Sequence, residues 1–289
     1  MKAPGCVSTR LLLHLTSFIF IAQASAAGFD SSQITGTVPF RMHEHLIVVQ
    51  GSVGGFRDLN LVVDTGSTFT VLSKRVAKKL KLKGTPVTVS AFGEKVTIEK
   101  AFLPELALGE VTFEQIEVRI CQLPDVDGLR IDALIGMDLL RRTSQTFDFE
   151  KGNLVLGQTR ELRYNTQFYR GLGFVPVTMT VQGQALRLML DTGACGLVLY
   201  ADAIQDRFQT RRSRRIEYRS YVGGRTRMEK ITLPDVSLGD SLWEELPAYL
   251  IDRQKSGNEH AMGNLGVVAL GLKTLQLDFE KGHLAWEFQ

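Results

Sequence analysis

The 289-residue sequence is poor in the groups that most hydrolases and nucleotide enzymes rely on. It has five histidines, none placed to serve a triad. It has no Gly-x-Ser-x-Gly, no Ser-x-x-Lys and no His-Glu-x-x-His, so the common serine nucleophiles and helix-borne zinc sites have no footing. Neither a P-loop nor a Gly-x-Gly-x-x-Gly is present, which removes the usual phosphate and dinucleotide cradles. Excess charge is lacking too: 34 Lys and Arg stand against 31 Asp and Glu. So small a field attracts neither nucleic acid nor acidic lipid strongly, and partners must be chosen by shape.

Long apolar runs are also scarce. The longest is Leu11-Leu12-Leu13-His14-Leu15-Thr16-Ser17-Phe18-Ile19-Phe20-Ile21, preceded by Lys2 and Arg10 and followed by the small residues Ala22 to Ala27. Those three regions are those of a secretory signal peptide. The run carries a histidine and falls short of the roughly 20 apolar residues a bilayer needs. Residues 1–26 are therefore expected to be removed on export to a periplasmic or extracellular space, with no stable membrane insertion afterwards. The alternative is an uncleaved N-terminal anchor. Loss of Lys2 and Arg10 lowers the formal charge from +3 to +1. Cys6 would leave with the signal, and Cys121 and Cys195 are expected as two buried thiols and not as a bridge.

What the sequence does contain, it contains twice. Leu61-Val62-Val63-Asp64-Thr65-Gly66-Ser67 is matched by Leu188-Met189-Leu190-Asp191-Thr192-Gly193-Ala194. Three apolar residues read as a buried strand, and a carboxylate at its end is poorly solvated unless donors satisfy it. Each motif resumes as a strand and then passes into a short helical pattern, with Val76 and Leu80 in one copy and Ile204 and Phe208 in the other. Further along, Leu103-Pro104-Glu105-Leu106-Ala107-Leu108-Gly109 returns as Leu233-Pro234-Asp235-Val236-Ser237-Leu238-Gly239, and Phe147-Asp148-Phe149-Glu150-Lys151-Gly152 as Leu277-Asp278-Phe279-Glu280-Lys281-Gly282. The aspartates are offset by 127 positions (64 to 191) and the later elements by 130 (103 to 233). The chain is an internal duplication, with a first lobe at 37–157, a connection at 158–173 and a second lobe at 174–289.

The remaining segments read as strands and turns. Residues up to about Val38 look like an exposed lead-in, and residues 41–49 like one alternating strand. His43 and His45 fall on one face of that strand, but no further ligand stands near, so alternation explains them and no metal is expected. Residues 87–98 and the stretch around Val222-Gly223-Gly224 read as hairpins. The arginines between 211 and 227 read as a solvated hairpin arm, with an anionic partner as the alternative.

A duplicated fold that delivers one carboxylate per copy suggests a paired-carboxylate chemistry, the alternative being two buried aspartates that merely cap turns. Two carboxyls within hydrogen-bonding reach hold one proton between them, so one acts as base and the other as acid. A water between them can be activated to attack a peptide carbonyl. Gly66 and Gly193 would permit close approach of the two backbones, and Thr65 and Thr192 could bond across the interface.

These motifs resemble those of the aspartic proteases. Small lobes and Ala133-Leu134-Ile135-Gly136 place the likeness nearer the retropepsin-type branch, and the second copy, Asn264-Leu265-Gly266, keeps the glycine and loses part of the apolar pattern. The resemblance implies an all-β fold of two retropepsin-like β-barrel lobes in a pseudo-two-fold, pepsin-like arrangement. It implies a catalytic pair Asp64 and Asp191 at the floor of a cleft, a polypeptide substrate and no cofactor. Thr65, Gly66, Ser67, Thr192, Gly193 and Ala194 would support the pair, with Ser67 donating to the outer oxygen of Asp64 and Ala194 offering no such hydroxyl. Phe92-Gly93 and Val222-Gly223-Gly224 are candidate flaps, or else plain surface hairpins. With both aspartates in one chain the active species is expected to be a monomer. The alternative function is a peptide-binding or scaffolding protein that kept the fold without turnover.

Overall fold

Short β-branched and aliphatic runs, broken by turns containing Gly, Asp and Asn, fold almost wholly as strands. The computed structural model describes residues 34–91, 94–204, 207–221, 224–251 and 261–288, and only the backbone of 90, 91, 94, 212–221 and 224–226. The first half runs β1 (Gly36–His43), β2 (Leu46–Val53), β3 (Phe56–Val63), β4 (Val71–Ser73), α1 (Lys74–Lys79), β5 (Thr85–Ala91), β6 (Glu94–Leu108), β7 (Val111–Cys121), β8 (Ala133–Ile135), α2 (Met137–Leu140), β9 (Gln145–Asp148) and β10 (Asn153–Leu156). The second half runs β11 (Tyr164–Gln167), β12 (Pro176–Val181), β13 (Gln184–Leu190), β14 (Leu197–Tyr200), α3 (Ala201–Ile204), β15 (Arg211–Tyr221), β16 (Gly224–Leu238), β17 (Ser241–Ile251), β18 (Gly263–Leu265), a 3-10 turn at Val267–Ala269, β19 (Leu272–Asp278) and β20 (His283–Phe288).

The two halves repeat strand for strand. The first is ordered β2-β3-β8-β4-β7-β6-β5 and closed by a β2–β6 pairing; the second is β12-β13-β18-β14-β17-β16-β15, closed by β12–β16. Each is thus a small barrel-like sheet whose central strands are buried on both faces, which is why β3 and β13 end in uninterrupted apolar triplets. The motif at 103–109 and its copy at 233–239 form the ends of β6 and β16, where Gly109 and Gly239 take left-handed turns into β7 and β17.

Between the barrels lies a shared layer ordered β11-β20-β19-β9-β10-β1, three strands from each half. At its centre β9 and β19 run antiparallel with Thr146 opposite Gln276, two positions related by the 130-residue offset. The pseudo-two-fold axis therefore passes between them. β11, in the stretch between the halves, is the counterpart of the start of β1: Asn165 pairs with Ala285 as Thr37 pairs with Val155. One continuous apolar core, including Phe147 and Trp286, extends from the first barrel through this layer into the second.

Two sequence expectations change. Residues 41–49 are not one strand: Glu44 adopts φ 55° and turns the chain between β1 and β2, so His43 and His45 are not neighbours on one strand face. His43 Nε2 lies 2.9 Å from the Val126 carbonyl oxygen and His45 is buried. The lead-in is also shorter than expected, since Gly36 to Pro39 already pair with β10. Cys121 and Cys195 are buried and not bridged, and burial pushes the Cys121 thiol up to about 12.

Candidate active site

Both aspartates sit where a buried strand stops. The Asp64 amide donates to Ile135 O (3.0 Å), the Ser67 amide turns back to Asp64 O (3.2 Å), and the Gly66 amide donates to Asp64 Oδ1 (2.9 Å). The second copy repeats each bond: Asp191 N to Leu265 O (3.0 Å), Ala194 N to Asp191 O (3.1 Å), Gly193 N to Asp191 Oδ1 (2.9 Å). Behind each loop crosses the glycine of β8 or β18's end. A Cβ on Gly136 would stand 2.4 Å from Phe69 C and O, and one on Gly266 would stand 2.3 Å from Ala194 O. Those glycines let the loop pass; they do not serve flexibility.

The loops meet on the pseudo-two-fold. Thr65 N donates to Thr192 Oγ1 and Thr192 N to Thr65 Oγ1, both at 3.0 Å, while Thr65 Oγ1 donates to Leu190 O (2.9 Å) and Thr192 Oγ1 to Val63 O (2.7 Å). Each hydroxyl thus clamps the partner loop by one bond given and one accepted. Gly66 packs against the other carboxyl: a Cβ there would stand 2.4 Å from Asp191 Cγ. The close approach that needs this glycine is backbone to side chain, not backbone to backbone.

Asp64 and Asp191 are 1% and 0% exposed. Burial, and next the negative charge of Asp191, raise the Asp64 carboxyl well above its ordinary range, against the lowering effect of the Gly66 and Ser67 amides. No described donor reaches Asp64 Oδ2, because the Asp191 carboxyl it faces is itself an acceptor when ionised. A single proton on the pair would supply the missing donor. Two buried carboxylates that feel each other's charge are costly to keep ionised together.

Ser67 does not support Asp64 through its hydroxyl, which donates to Phe69 O (2.8 Å); it contributes its backbone amide instead. The polar side chain that reaches the pair comes from elsewhere. Asn264 Nδ2 donates to Asp191 Oδ2 (2.7 Å), and Tyr200 OH donates to Asn264 Oδ1 (3.0 Å). Asn264 is the very residue that breaks the apolar pattern in β18, and that break was its only signal in the sequence. Phe92, Gly93, Val222 and Gly223 lie outside the described residues. Gly224 starts β16, and the hairpins that flank these tips, β5–β6 and β15–β16, are formed.

A family model described as aspartyl protease matches the chain in two segments, residues 49–139 and 177–273, one around each aspartate. The chain belongs to the aspartyl protease family. Its fold is similar to that of an aspartic proteinase from Irpex lacteus, with a TM-score of 0.57 over 88% of this chain and 97% of that one, at 15% identity. No curated protein sequence matches the chain significantly. The aspartyl protease fold of this chain is therefore established by two duplicated segments and a shared architecture. Within it the first-half loop has a further anchor, since Thr70 Oγ1 donates to Asp138 Oδ1 (2.8 Å) and accepts from Gly136 N (3.2 Å).

Proposed function

We propose that this protein is an exported, single-chain aspartic endopeptidase whose catalytic pair is Asp64 and Asp191. The observation that carries the reading is Asp64 Oδ2, a buried carboxyl oxygen with no described donor, facing the carboxyl of the other half. One proton shared by the pair satisfies it, and a singly protonated pair is what general acid–base hydrolysis needs. The ionised member takes a proton from a water as its oxygen attacks the peptide carbonyl. The protonated member hydrogen-bonds the carbonyl oxygen as it becomes an oxyanion; the other member then passes the proton it took from the water to the leaving nitrogen as the C–N bond breaks and the carbonyl re-forms, which restores the singly protonated pair. No metal or organic cofactor enters these steps.

The substrate is a polypeptide held across both halves. The working unit is a monomer, with lobes at 37–157 and 174–289 joined through 158–173, because each half brings one aspartate and the tether holds them at high effective concentration. Export rests on the character of residues 1–26, which lie outside the described residues; no described helix is long and apolar enough to cross a membrane.

The test is hydrolysis of a fluorescently labelled, unfolded protein by the wild type, Asp64→Asn and Asp191→Asn. Each substitution keeps the volume and removes the shared proton, and should lower kcat/KM by about 100-fold or more while the fold is retained. A peptide with a hydroxyl in place of the scissile carbonyl should bind the wild type much more tightly than either variant. Hydrolysis surviving in either variant refutes the pair, and equal binding of the mimic favours a scaffold without turnover.

A further inference from the structure

The backbone and threonine bonds around the two aspartates match from half to half, but the side chains that back the carboxyls do not. In β8 the residue opposite Val62 is Leu134, and in β18 the residue opposite Met189, its counterpart, is Asn264. Leu134 belongs to an apolar cluster and has no polar atom to offer Asp64. Asn264 is 1% exposed and gives its amide to Asp191 Oδ2 at 2.7 Å. We propose that Asn264, oriented by Tyr200, is a positioning residue that makes Asp191 the ionised member of the pair and leaves the proton on Asp64. This inference rests on the shared-proton reading above and assigns the two roles within it.

The argument is a matter of donors. Asp191 receives a fixed N–H on each oxygen, from Gly193 and Asn264. Asp64 receives backbone amides only, Gly66 on Oδ1 with Ser67 beside it, and no described donor reaches its Oδ2. A donor to a carboxylate favours the charged form, so the better-supplied carboxyl keeps the charge and the other carries the proton. Placed on Asp64 Oδ2, that proton satisfies the one bare oxygen of the four.

Tyr200 holds the other end of the amide. Its hydroxyl, on a side chain 4% exposed, donates to Asn264 Oδ1 at 3.0 Å, which turns Nδ2 toward Asp191. The flipped amide would aim Oδ1 at Asp191 Oδ2, an arrangement tolerable only if Asp191 held the proton. The counterpart of Tyr200 is Ser73, which caps α1 through the Val76 amide, so the first half has no such chain. The ionisable groups facing Asp191 include Asp64 from the first-half loop and, one hydrogen bond removed, Tyr200 from β14.

Carboxyl carbon NMR of the ¹³C-aspartate-labelled full chain reads both titrations without any substrate, with Asp64→Asn and Asp191→Asn giving the assignments. In the wild type Asp191 should carry the lower of the two macroscopic steps. Asn264→Leu, which copies the first half at near-equal volume, should raise that step by about one to two pH units, and Tyr200→Phe should raise it by less than one. The acid limb of kcat should move with it. A lower step that stays in place in Asn264→Leu, or in Tyr200→Phe should the first variant not fold, overturns the assignment while leaving the pair intact. If instead Asp191→Asn leaves the Asp64 titration unmoved, the two carboxyls are uncoupled and the catalytic pair itself is refuted.

Discussion

Adding one methyl group at Gly66 should disable the site while both aspartates remain in the chain. A Cβ there would lie 2.4 Å from Asp191 Cγ and Oδ1 and 2.6 Å from Oδ2, where ordinary carbon contacts begin near 3.4 Å. About 1 Å of displacement is required, and the backbone at 66 cannot supply it, since its amide is held by Asp64 Oδ1 and the neighbouring Thr65 is clamped to Thr192 and Leu190. Asp191 must move instead, against its own bonds to Gly193 and Asn264. A misplacement of about 1 Å costs about 100-fold in rate, or about 2.7 kcal/mol of transition-state stabilisation. Losing one hydrogen bond to a charged group costs about 1.5–3 kcal/mol of stability, a fall of about 3–12 °C in Tm for a chain of this size. Gly196→Ala is the control: it lies in the loop after the other aspartate, and the nearest atom to its Cβ is Tyr249 Cε2 at 3.8 Å. Turnover of labelled unfolded protein and a thermal melt on both variants decide the matter. Near-wild-type activity in Gly66→Ala, or an equal loss in Gly196→Ala, would refute the reasoning.

Thr65→Val keeps shape but leaves Thr192 N and Leu190 O buried without their partner, so unfolding free energy should fall by about 2–5 kcal/mol, and Thr192→Val should cost a similar amount because its bonds repeat; a difference between the two much above 2 kcal/mol in chemical denaturation would break the symmetry argument. Burial, and then Asp191, raise the folded Asp64 carboxyl above its unfolded value, so its contribution to stability is fully present below the ordinary carboxylate range and is lost as pH rises through the raised value. Asp64→Asn, which never ionises, should therefore gain on the wild type as pH rises from about 3 toward neutrality, and a denaturation midpoint difference that is constant with pH would contradict this. Ala194→Ser should leave both limbs of the pH–rate profile in place, since the first-half hydroxyl at the matching position bonds a carbonyl and not Asp64; a shifted limb would show that the two loops differ in hydroxyl orientation.

Much of this molecule was legible because it repeats. Two apolar triplets ending in Asp-Thr-Gly, with later elements at near-constant offset, located both aspartates, their strands and the equivalence of the halves. The hairpin of β5 and β6 followed from its β-branched arms. The turn at Glu44 did not, because the left-handed conformation there is taken by a residue with no strong preference for it, in the middle of an alternating pattern. The destination of the Ser67 hydroxyl was invisible for another reason. A serine beside a carboxylate can bond the carboxylate or a local carbonyl, and only the loop's path past Phe69 decides. Asn264 was visible as a departure, but its partner lies 73 residues away in sequence and is fixed by the pairing of β13 with β18.

The shared layer explains why the departures can exist. Thr146 faces Gln276 across the pseudo-two-fold, and their side chains meet at 3.1 Å, so the centre of the molecule is built from two versions of one position. In a pair of identical chains both versions would be the same residue, and so would Leu134 and Asn264. Any donor given to one aspartate would be given to the other, and the roles of acid and base could be assigned only by the substrate. Joining the copies in one chain removes that constraint. The first half can then keep an apolar wall behind Asp64, which favours the protonated form, while the second places an amide against Asp191, which favours the ionised form. The duplication keeps the backbone symmetric, through the threonine clamp and the six-stranded layer, and lets side chains such as Leu134 and Asn264 differ where the proton rests.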